Sequence, residues 1–286
     1  MSWFFGGAAT NKSGASPSKS GRHAGSGNGA GRHQKRAPVV YDLHRLQFLY
    51  ADLAELTWFE KSANIRITSV NRQQVVEILR AISELIVYGA QGPDGERIFD
   101  YFCEKNFLHI FTRMLAARPG CGDVVKRQII QTMSILVQNI SNDTYFYYLL
   151  SNNHINEIIA HPFDLANEDV LAHFVSFLKM LSLKLNVDTV QFFFNAATNT
   201  FPLFTEASKL IVHPENMVRT HIRNLTLNVF KVAAGEPTVA EYLTRTGDDG
   251  APPAAADVLN KLAFWLRDQS NILGRFLQLP EGGTGG

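Results

Sequence analysis

The sequence predicts an all-α protein: an armadillo/HEAT-like α-solenoid behind a disordered N-terminal tail. Three observations predict it. From Asp42 onward, apolar residues recur at steps of three and four, with none of the sustained alternation that a strand needs. Short breaks bearing Gly, Pro, Asn or Asp separate these stretches. Four long stretches, 80–89, 131–140, 176–185 and 223–232, also lie on one another at offsets of 51, 45 and 47 residues. Helices recurring at about 40–47 residues are the mark of stacked repeats. Each such repeat buries its apolar face only against its neighbours.

The chain of 286 residues is 45% hydrophobic, enough for a real core. Its formal charge of +1 is unevenly spread. Residues 1–40 hold six Lys/Arg and no Asp or Glu, along with eight Gly and six Ser. That composition reads as a disordered, basic tail. The remainder is acidic by five charges, so charge gives no reason to expect nucleic acid as a partner. Within the tail, "GSGNGAG" (25–31) lacks the preceding strand and following helix of a phosphate-binding loop. The start "MSWFFGG" leaves two readings open: Trp3, Phe4 and Phe5 touch an anionic membrane surface, or they are stray aromatics in a tail.

The helical domain is expected over 41–245. Its breaks fall at 89–95, 117–123, 140–143, 161–164 and 213–216. Asp42, Asn71, Asp94, Asp123, Asn142, Asn167 and Glu215 stand where helices open, as caps or first-turn acids. The most apolar stretch, "FVSFLKMLSLKLNVDTVQFFFN" (174–195), is too charged to span a membrane, with Lys179, Lys184 and Asp188 inside it. Phe174, Phe177, Leu178, Leu181 and Leu185 share one helical face, so this is the inside of a repeat, and "VQFFF" opens the next layer. A flexible linker is expected over 246–256, a C-terminal helix over 257–279 and a disordered end over 280–286.

No motif for catalysis or phosphate binding is present. The nine histidines are scattered, and Cys103 and Cys121 form no CxxC pair, so neither a metal site nor a cofactor is expected. What remains is a surface. In stacked repeats, matching positions of the long inner helices form columns along a groove. One column reads Arg80, Gln131, Ser176, Arg223; a second Ser83, Ser134, Lys179, Thr226; a third Tyr88, Asn139, Lys184, Lys231. None of the twelve is acidic. They either dock an extended or acidic segment of a partner or simply face water. From these columns Arg80, Gln131, Asn139, Lys179, Lys184, Arg223 and Lys231 are the candidate partner-binding residues.

Several strings then resemble a known family: "LHRLQFLYADL" (43–53), "ISELIVYGAQ" (82–91), "IFDYFCEKNFLHIF" (98–111), "YYLLSNNHINEIIAHPFD" (147–164), "FVSFLKMLSLKLN" (174–186) and "HPENMVRTHIRNLTLNVFKV" (213–232). They are similar to the FPL domain, the N-terminal region of the C-type lectin domain family 16 member A / endosomal maturation defective (Ema) family. The resemblance covers about residues 40–245. It implies a non-enzymatic scaffold, cytoplasmic and peripheral on endosomal and lysosomal membranes, serving vesicle traffic and autophagy. Its implied partners are tethering or ubiquitin-ligase proteins, with no small-molecule substrate. A component of a ubiquitin-ligase complex in mitophagy is the alternative, and a plain structural helical domain is a third reading. The Gly/Ser-rich insert at 6–37 and the loop "GDDGAPPAAA" (247–256) depart from the family pattern.

Overall fold

A computed structural model describes residues 41–277, apart from 63, 90, 118–119, 141 and 247–249. The tail with Trp3, Phe4 and Phe5, and the segment 280–286, lie outside the described residues. Twelve α-helices are found among the described residues, with no strand beyond a single antiparallel bridge between Asn195 and Thr200. The first two are α1 (Leu43–Thr57) and α2 (Arg72–Gly89). Two three-helix layers follow: α3 (Gly95–Glu104), α4 (Phe107–Leu115) and α5 (Asp123–Asn139), then α6 (Asp143–Leu150), α7 (His154–Ile159) and α8 (Glu168–Leu183). A third layer has a short 3-10 turn, Val190–Phe192, in place of its first helix, then α9 (Pro202–Ser208) and α10 (Asn216–Ala233). The short α11 (Pro237–Thr244) and the long α12 (Ala254–Leu277) complete the series.

The long helices form one row, with α2 packed on α5, α5 on α8 and α8 on α10. A second row runs behind it through α4, α7 and α9. This is the expected solenoid, and the four stretches aligned by sequence are its long helices. Small hydroxyl residues allow the row to close up. Ser83, Ser182 and Thr226 are buried, and each hydroxyl bonds to a carbonyl one turn back in its own helix, at 2.8, 2.9 and 3.0 Å. Such back-bonding satisfies a buried hydroxyl without a partner on the next helix. The core is rich in aromatic rings. Phe102 stacks on Phe107 at 4.9 Å, Phe99 on Tyr145 at 3.9 Å, and Phe174, Phe177, Phe193, Phe201 and Phe204 are fully buried.

The expected helix starts divide. Asp42, Asn142 and Asn167 cap as expected, their side-chain oxygens accepting from Arg45 N (2.8 Å), Tyr145 N (3.2 Å) and Asp169 N (3.1 Å). Asp94 and Glu215 occupy cap positions but make no cap bond. Asp94 instead meets Arg97 at 3.0 Å. Asp123 is the first residue of its helix, and Gly122 holds the cap at φ +81°. Asn71 fastens a loop: it accepts from Thr68 N (2.8 Å) and donates to Leu56 O (2.8 Å) and Arg66 O (3.0 Å).

Candidate docking surface

The long-helix row carries the predicted columns. Arg80 is exposed and paired with Glu77 at 3.0 Å. Gln131 is half-buried, and exposed Asn139 donates to Ile135 O at 2.8 Å. Lys179 is half-buried on α8, and Lys184, just past its end, holds its ammonium 5.3 Å from the Phe146 ring. Lys231 is exposed on α10. Arg223 is half-buried, its guanidinium 4.5 Å from the Trp265 ring of α12, with Arg219 at 5.0 Å from the same ring. The second column lies lower than an exposed column would, since Ser83 and Thr226 are buried in the seams of the row.

Lys179 on α8, Lys184 just past its end and Lys231 on α10 belong to two neighbouring helices of the row and their ends. Lys179 and burial hold His221 below the usual histidine range, burial being the larger cause. No acid occurs from Val170 to Val187, nor anywhere in α10. Acids near this surface sit at helix starts, where Asp169 of α8 binds Arg127 of α5 at 2.6 Å. Two exposed leucines, missed by the sequence reading, punctuate the cationic face: Leu183 at 64% exposure and Leu227 at 62%. Leu227 lies three residues from Asn224 and four from Lys231, on their stripe. Its signal in the sequence was an apolar residue interrupting a polar helical face.

No cluster of His, Cys, Asp and Glu among the described residues is able to hold a metal ion. Burial pushes the Cys103 thiol up to about 12, and burial raises Cys121 as well. Both therefore stay protonated, and a thiol is not the nucleophilic form. No helix among the described residues is long and apolar enough to cross a membrane.

Parts of this sequence are similar to known proteins. The model of the family FPL, described as an uncharacterised conserved protein, matches residues 79–230. Human Protein CLEC16A is 43% identical over 213 residues, covering 74% of this chain and 19% of its own. The Protein CLEC16A homolog of Drosophila melanogaster is 45% identical over 190 residues, 66% of this chain and 17% of its own. Protein TRANSPARENT TESTA 9 of Arabidopsis thaliana is 34% identical over 248 residues, 85% of this chain and 28% of its own. The chain thus spans about a fifth of the length of the animal relatives. No solved structure matches it.

Proposed function

This chain belongs to the FPL-domain family, and on that premise we propose that it is a non-enzymatic adaptor in endosome–lysosome (vacuole) membrane traffic and autophagy. It works by binding proteins along α5, α8 and α10, peripherally on endosomal or lysosomal membranes. One observation carries the reading: the adjoining faces of α8 and α10 are cationic, free of acid past the first turn of α8, and dotted with exposed leucine. That surface suits a partner segment that is acidic with interspersed apolar residues. Charge complementarity steers such an encounter, and the leucines supply area to bury. The partners proposed are tethering or ubiquitin-ligase proteins.

The test is a paired charge reversal, Lys184→Glu with Lys231→Glu. Both residues lie at the surface of the row, so the variant is expected to melt like the parent. Affinity capture from cells with the parent is expected to recover vesicle-tethering or ubiquitin-ligase proteins, and the folded double variant to lose them. An unchanged set of captured proteins would remove the ridge as the docking surface. The alternative role, a ligase component with its own activity, requires ubiquitin transfer that depends on Cys103. The raised thiol stands against it, and a purified ubiquitination assay comparing Cys103→Ser with the parent decides it.

A further inference from the structure

At the other end of the row, α1 and α2 enclose an open groove of about 760 Å³. Leu56, Trp58 and Ile78 supply its apolar lining, and Asp52 and Glu55 from α1 with Gln73, Gln74 and Glu77 from α2 its polar lining. At one end of the groove lies the residue that ends α1. Trp58 takes a left-handed backbone, φ 60° and ψ 22°, and its N–H donates to Ala54 O at 2.8 Å. A non-glycine residue held there is a costly conformation, of the kind that recurs at ligand clamps. The indole remains 47% exposed.

The ring already attracts cations of its own chain. Arg66 stands 5.1 Å and Lys61 5.7 Å from its centre, the geometry of a cation–π contact. Asp52 and Glu55 lie about two turns and one turn back along α1. Neither carboxylate makes a hydrogen bond or ion pair among the described residues. Glu77 is held by Arg80 at 3.0 Å and by Gln73 at 3.0 Å. The groove therefore joins an apolar patch to a polar lining with uncommitted negative charge on its α1 side, opposite in sign to the α8–α10 face.

We propose that the α1–α2 groove docks an extended basic segment of a partner protein, one with arginine or lysine beside an apolar side chain. The apolar side chain sits at the Trp58 end, and the cations fall toward Asp52 and Glu55, away from Lys61 and Arg66. Charge complementarity selects the sign of the ligand. The apolar lining adds desolvation, and the open groove suits a chain rather than an enclosed small molecule. This proposal stands independently of the adaptor surface on α8 and α10, because no residue is shared.

Fluorescence anisotropy of a labelled peptide alternating arginine and leucine, titrated with the complete chain, tests it. The peptide is expected to bind, to weaken as salt rises, and to bind better than its glutamate–leucine twin. Asp52→Lys with Glu55→Lys, and separately Trp58→Ala, are each expected to weaken binding about tenfold or more without changing circular dichroism or melting. Lys184→Glu with Lys231→Glu is expected to bind the basic peptide as the parent does. The proposal is overturned if the parent does not bind, or if the groove variants bind as tightly as the parent. It is also overturned if Glu96→Lys with Asp100→Lys, at exposed positions of α3, weakens binding equally, since general surface charge would then suffice.

Discussion

Phe177→Ala puts the stacked-row architecture to the sharpest test. Phe177 is fully buried in α8, the helix that packs against α5 on one side and α10 on the other. Emptying such a site removes the transfer free energy of the ring and leaves a cavity, together about 3–5 kcal/mol. Domains of this kind hold only about 5–15 kcal/mol in all. At about 2–4 °C per kcal/mol for a region of this length, the melting temperature should fall by about 6–20 °C. Leu183→Ala, on the same helix but 64% exposed, should stay within about 0.5 kcal/mol of the parent. Thermal melting by far-ultraviolet circular dichroism compares the two directly. Equal shifts would mean that α8 is not clasped on both sides, and the reasoning from repeats would fail with it.

Two further outcomes are expected. Gly122→Ala should destabilise by about 1–3 kcal/mol, because φ +81° with ψ 153° is a conformation almost confined to glycine. An added Cβ would also lie 2.8 Å from the Arg72 guanidinium carbon, whereas Gly120→Ala meets nothing within 4 Å and should be near neutral by urea denaturation. His161 is held below its usual range by burial and, secondarily, by Lys126. The folded state thus resists protonation, so stability is full above about pH 6.5, the ordinary histidine value, and declines as pH falls through the lowered value. Melting temperatures of His161→Gln should therefore drop less on acidification than those of the parent, and parallel slopes would refute the assignment.

The row itself was readable because its signal is long and periodic. Residues 80–89, 131–140, 176–185 and 223–232 fall on the C-terminal halves of α2, α5, α8 and α10, passing a helix end by two residues at most. The rotation of one helix was less legible. The alignment set Thr226 on a groove-lining column with Ser83, Ser134 and Lys179, yet Thr226 is buried, as is Ser83, and Leu227 is 62% exposed. A threonine that bonds to its own turn is able to sit at a helix seam, so polarity alone does not mark the wet side. Arg223 was read as open, but Trp265 covers it from a helix forty residues onward. The α1–α2 groove depends on the loop that Asn71 fastens, and no periodicity reports a loop. Residue types were visible in the sequence, but their meeting across α1, α2 and α12 was not.

The order of packing in the long-helix row has a bearing on how the protein comes into being. Each long helix rests on the one that precedes it in the chain: α5 on α2, α8 on α5, α10 on α8. A polypeptide leaving the ribosome therefore finds its template already assembled at every stage. Loops to be closed stay short, and short loops favour rapid acquisition of structure. Each layer is covered on its open side by the next to emerge, so growth can proceed like masonry, course upon course, while translation continues.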